Sequence, residues 1–137
     1  MSTTTTSTHV GTVAEIYGAF GRGDVARILD ELTDDVDWAT DAQLEAAPWH
    51  RRYVGRDEVP AFFESLAETV DVTEFTPLSF TANDTDVMCV IRFGMTVKAT
   101  GKRSTANIHH WWRFRDGKIC FYRGAEGTAL TQQLLTG

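Results

Sequence analysis

Residues 105–122, TANIHHWWRFRDGKICFY, constrain the fold more than any other stretch of this chain. Two apolar-rich runs flank Arg115-Asp116-Gly117-Lys118, and an Asp-Gly pair between such runs is turn chemistry for a β-hairpin. Side chains alternate between the two faces of a strand, so His109 and Trp111 share one face while His110 and Trp112 share the other. Two adjacent histidines on a strand therefore cannot close on one ion. No Cys/His spacing elsewhere supplies a zinc site, and neither a metal nor a cofactor is expected.

The chain is 137 residues long, 42% hydrophobic and 23% charged, which fits one domain with a real core. No apolar run approaches the roughly 18 residues that a membrane span requires. Residues 1–9 are expected to form a disordered, Ser/Thr-rich tail without signal-peptide character, and residues 10–137 a single domain. Cys89 and Cys120 show no paired spacing and read as buried free thiols, consistent with a cytoplasmic chain. Residues 1–74 carry 15 acidic and 5 basic side chains; residues 75–137 carry 4 and 8. The bases are scattered among apolar strand positions, so a nucleic-acid partner is not expected.

Val10, Val13, Ile16, Tyr17 and Phe20 have helical spacing, and Gly21 and Gly23 end that helix. Asp24 is the N-cap expected for a short helix over Val25–Leu32. Val36, Trp38 and Thr40 alternate with polar residues, which predicts a strand with Trp38 inward. Residues 42–54 lack a period and read as a loop with two exposed aromatics, Trp49 and Tyr53. A third helix is predicted over Asp57–Thr69, burying Val59, Phe62, Phe63 and Leu66, with Pro60 in its first turn. Strands are predicted over Val72–Thr81, Asp86–Thr100, Arg103–Arg115 and Lys118–Glu126, then a helix over Thr128–Leu135. Helices followed by a mostly antiparallel sheet make an α+β layout.

The segments Tyr17-Gly-Ala-Phe-Gly-Arg-Gly-Asp24, Asp34-Asp-Val-Asp-Trp38, Tyr53-Val-Gly-Arg-Asp-Glu-Val59 with Phe62-Phe63, and Trp112-Arg-Phe-Arg-Asp-Gly-Lys-Ile119 occur in an order that resembles the nuclear transport factor 2-like superfamily. Within it the chain looks most like the SnoaL-like and ketosteroid-isomerase-like branch, over roughly residues 10–135. The resemblance implies a curved mixed sheet, mostly antiparallel, wrapped with helices around a conical cavity, and a homodimer through the outer sheet face. Its members include isomerases, cyclases, hydrolases, dehydratases and proteins without known chemistry, so fold alone does not set function.

Ketosteroid isomerases build their oxyanion hole from a tyrosine on the first helix and a protonated acid on a late strand. Carried over residue by residue, that tyrosine falls on Ile16. Tyr17 lies one residue off and is expected to point away from that position, though it stays among the substrate-binding candidates. The late-strand acid falls on His110 and the general base on Thr40, next to Asp41. The position after the last strand reads Glu126-Gly127. A steroid isomerase is thus disfavoured. His110 and Glu126 are expected to face one chamber as an acid/base pair, with Asp41 as a third catalytic candidate. Trp38, Thr40, Trp49, His50, Phe62, Phe63, Trp112 and Tyr122 join Tyr17 as substrate-binding candidates. The resulting expectation is a cofactor-independent isomerase, cyclase or lyase acting on a hydrophobic, oxygenated small molecule. The alternatives are a non-catalytic ligand-binding module or a dimerisation domain. His109 and Trp111 are expected to face a second copy of the chain. Arg92 would matter for epoxide hydrolysis only if it turned inward.

Overall fold

Asp116 and Gly117 both adopt positive φ, 52° and 81°, which matches a two-residue hairpin turn to the right-handed twist of its strands. That turn joins β5 (Arg103–Arg115) to β6 (Lys118–Ala125), with His110 opposite Gly124 and Trp112 opposite Tyr122. The computed structural model describes residues 3–41 and 44–136. The remaining strands are β1 (Leu32–Thr40), β2 (Tyr53–Val54), β3 (Val70–Ala82) and β4 (Asp86–Val97). They form one six-stranded sheet in the order β2-β1-β6-β5-β4-β3, antiparallel except where β1 runs parallel to β6. The helices are α1 (Thr3–Arg22), α2 (Val25–Leu29), α3 (Val59–Thr69) and α4 (Thr128–Thr136). The architecture is the expected α+β, with a mixed and unclosed sheet.

The sheet bends where its strands slip register. Opposite Gly94, β3 carries an extra residue between Val72 and Glu74. A Cβ on Gly94 would sit 2.8 Å from Thr73 Oγ1 and 3.1 Å from Glu74 Cβ, so only glycine lets the bulge close down. A second slip falls between Pro77 and Ser79. Trp38 and Trp112 are almost fully buried on the concave face, together with Val87, Ile91 and Ile119.

Several boundaries differ from the sequence reading. α1 starts at Thr3 rather than after a tail ending at residue 9; Met1 and Ser2 lie outside the described residues. Tertiary contact explains the extension. His9 is buried, stacks on Phe114 at 3.9 Å between centroids, and donates from Nε2 to the Asp84 carbonyl at 3.0 Å. α2 ends at Leu29, because Leu32 already pairs with Ile119 and is buried in the sheet. Its expected cap is present, with Asp24 Oδ1 accepting from the Arg27 N–H at 3.2 Å. Trp49 and Tyr53 are not exposed but 4% and 0% accessible. Tyr53 belongs to β2 and pairs with Trp38, while Trp49 turns inward. Residues 42 and 43 of that loop lie outside the described residues. Cys89 is buried and Cys120 half-buried, and both are free thiols. No described helix is long and apolar enough to cross a membrane.

Candidate functional site

Alternation along β5 and β6 aims Ile108, His110, Trp112, Tyr122 and Gly124 at one cavity, which α1, α3 and β1 enclose. The space free of protein atoms there, mouth included, is about 720 Å³. The walls are aromatic and closely spaced. The Tyr122 ring lies 4.3 Å from Trp38 and 4.5 Å from Trp112 between centroids, and Phe62 and Phe63 meet Trp38 edge-on. No lysine or arginine lines the cavity among the described residues.

At the base, Tyr17 Oη and His110 Nδ1 are 2.8 Å apart, and Trp112 Nε1–H donates to the same phenol oxygen at 3.1 Å. Cys89 also lies against the hydroxyl, and burial pushes its thiol up to about 11. A thiol is a weak acceptor, so the imidazole nitrogen takes the phenol proton. That places the proton of a neutral His110 on Nε2. Burial, aided by the charge of His109, pushes His110 down to about 3, so the ring is neutral at ordinary pH. Burial also raises Tyr17 and Tyr122 far above the ordinary phenol value, Tyr122 further through the charge of Glu126. Both remain hydroxyls, and Trp38 Nε1–H is buried without a partner among the described residues.

Glu126 also lines the cavity, but its partner is His50, not His110. The Leu44 N–H donates to His50 Nδ1 at 3.0 Å, which leaves the proton on Nε2. That proton is donated to Glu126 Oε1 at 2.5 Å, while Thr131 Oγ1 donates to Oε2 at 2.9 Å. The structure therefore replaces the expected His110–Glu126 pair with two separate polar groups sharing one cavity: Tyr17–His110 and His50–Glu126–Thr131. The cause is register. His110 faces Gly124, whereas Glu126 lies beyond the end of β6, where α4 and the 44–50 loop reach it first.

Gly124 shapes the space between them. A Cβ there would lie 2.6 Å from Tyr122 Oη and 3.7 Å from His110 Cδ2. The missing side chain lets the tyrosine hydroxyl fold back over the strand toward His110.

The other candidates divide. Trp38, Thr40, Trp49, Phe62, Phe63, Trp112 and Tyr122 line the cavity; His50 stands behind Glu126 with its side chain fully buried. Asp41 is exposed and does not line it. Tyr17 points into the cavity, contrary to expectation. Its place on the stripe of Val13 and Phe20 was the available signal, and counting from a catalytic position obscured it. Arg92 is exposed and 3.6 Å from Glu74, so it does not serve the cavity. His109 is exposed, as expected of the outer face. Trp111 is half-buried: its Nε1–H donates to Asp86 Oδ2 at 2.8 Å, and Phe121 stacks edge-on at 4.8 Å. No group of three or more His, Cys, Asp or Glu side chains among the described residues could hold a metal.

The sequence profile of the SnoaL-like domain matches residues 13–122. No curated protein sequence matches the chain. Among solved structures, an NTF2-like protein of unknown function from Burkholderia pseudomallei is 26% identical, with TM-score 0.85 over 95% of this chain and 98% of that one. An NTF2-like protein from Burkholderia thailandensis is 26% identical, with TM-score 0.82 over 93% and 96%. TerC, crystallised with polyporic acid, shares the fold at 18% identity, with TM-score 0.82 over 95% and 99%.

Proposed function

Since the chain belongs to the SnoaL-like domain family, we propose that it is a cofactor-independent isomerase, cyclase or lyase acting on a neutral, hydrophobic, oxygenated small molecule. One observation carries this reading: His110 presents a neutral N–H donor in the same aromatic cavity as the carboxylate of Glu126. Glu126 removes a proton from carbon beside a carbonyl. The His110 Nε2–H and the Tyr122 hydroxyl donate to the enolate oxygen as its charge develops. Return of the proton to another carbon gives an isomerase, attack on a second carbonyl a cyclase, and loss of a β-substituent a lyase.

The test is α-deuteration of 2-tetralone in deuterated buffer, followed by NMR. The protein accelerates exchange, and Glu126→Gln lowers the acceleration by ~10²–10⁴. Equal rates in buffer, wild type and Glu126→Gln would sink the catalytic reading. A non-catalytic ligand-binding role then stands, and one feature favours it: both Glu126 oxygens already hold hydrogen bonds, to His50 and Thr131.

The same proposal includes a homodimer in the cytoplasm, joined through the outer sheet face around His109 and Trp111. Met88 and Leu78, on β4 and β3, are 47% and 52% exposed, and the free thiols of Cys89 and Cys120 suit a reducing compartment. A monomer at micromolar concentration in size-exclusion light scattering would remove the dimer.

A further inference from the structure

Phe20, Ile28, Phe63, Leu66 and Phe75 line the cavity and also a second depression, a groove running outward between the α1–α2 turn, α3 and β3. The groove holds about 1640 Å³ of atom-free space, open side included, against about 720 Å³ for the cavity. At the junction the Phe20 ring lies 6.1 Å from Phe63 and 4.9 Å from Phe75, close enough to touch but joined by no polar contact. Beyond it the walls are Val25, Pro60, Ala67, Val70 and Val72. The bulge opposite Gly94 carries Thr73 and Glu74 along the rim.

The charge of the rim is one-sided. Glu64, Asp71 and Glu74 face it against Lys98. The Lys98 ammonium already donates to the Ala67 carbonyl at 2.7 Å and lies 3.8 Å from Asp71. An anion in the groove would meet these carboxylates within a Debye length, and an anionic head in the cavity would find no lysine or arginine among the described lining residues.

We propose that the groove is a second compartment for the cavity's own ligand, taking a neutral, apolar extension of a molecule whose oxygenated head lies beside His110 and Tyr122. The inference rests on the reading of the cavity as a ligand site. The two spaces lie on either side of the same side chains, so a swing of the Phe20, Phe63 and Phe75 rings would join them, and the closely packed cavity leaves no room for a long molecule. Phe20, Phe63 and Phe75 are the gate between head and tail, and the ligand class is an elongated neutral ketone rather than a fatty acid.

The experiment is calorimetric titration with methyl ketones from 2-hexanone to 2-dodecanone, with dodecanoate as the anionic counterpart. Ala67→Trp places an indole in the groove from an exposed site outside the cavity; Val72→Trp does so from the edge strand, should the first variant fold poorly. In the wild type, affinity climbs about fourfold per methylene. In both variants the climb stops short while 2-hexanone binds as before, and dodecanoate binds on the order of tenfold more weakly than 2-dodecanone. An equal climb in wild type and variants, no climb, dodecanoate as tight as the ketone, or no ketone bound at any length overturns the proposal. Failure of the acid/base reading shows elsewhere, as lost acceleration of deuterium exchange with the chain-length series intact.

Discussion

Tyr17 on α1 and His110 on β5 are joined by a buried 2.8 Å hydrogen bond across 93 residues of sequence. It ties the first helix to the central hairpin and sets which imidazole nitrogen carries the proton in the cavity. Tyr17→Phe leaves both His110 Nδ1 and Trp112 Nε1–H without this partner. The variant unfolds in urea with about 1–3 kcal/mol less stability. An unchanged midpoint would show that neither group depends on the phenol.

Acid should act through His110. Its folded-state value, about 3, lies below the ordinary 6.5, so between these limits the unfolded chain takes up a proton that the folded one does not. The stabilising contribution is full above pH 6.5 and is lost as pH falls toward 3. Between pH 6.5 and 5 this one group costs the fold about 2 kcal/mol. His110→Gln removes that share, so the two unfolding curves draw closer as pH falls. Parallel loss in wild type and variant would contradict the assignment.

His50→Phe takes the acceptor from the Leu44 N–H and a donor from Glu126. The variant loses about 1–3 kcal/mol, and the effect is local. Hydrogen exchange at the Leu44 amide accelerates, and Trp49 emission shifts to the red as the loop loosens. Unchanged exchange would mean that other contacts hold the loop.

Gly124→Ala drives a methyl against the Tyr122 hydroxyl, which cannot retreat because Trp38 and Trp112 pack its ring. Overpacking of this kind costs about 1–3 kcal/mol. In a Tyr122→Phe background the closest contact is gone, and the same alanine costs less. Additive effects in the double-mutant cycle would refute a direct clash.

The hairpin around Asp116-Gly117 was legible because turn chemistry and strand alternation are local, and they assigned His109 and His110 to opposite faces correctly. Helix spacing likewise exposed the stripe from Val13 to Phe20. What local pattern could not supply was partnership. His50 and Glu126 are 76 residues apart, and the meeting depends on where β6 stops and α4 begins. His9 sat in a segment of weak composition, and only the Phe114 ring and the Asp84 carbonyl make it part of the fold. Tyr53 belongs to a two-residue strand, too short to leave a period.

Both margins of the sheet are poor templates for another strand. On one side β2 offers only Tyr53 and Val54; on the other, β3 is interrupted by two register slips and by Pro77, which has no N–H to give. Growth of the sheet by strand addition is therefore blocked at both ends. Association through backbone pairing, including the runaway kind that builds fibrils, is disfavoured by the same features that curve the sheet.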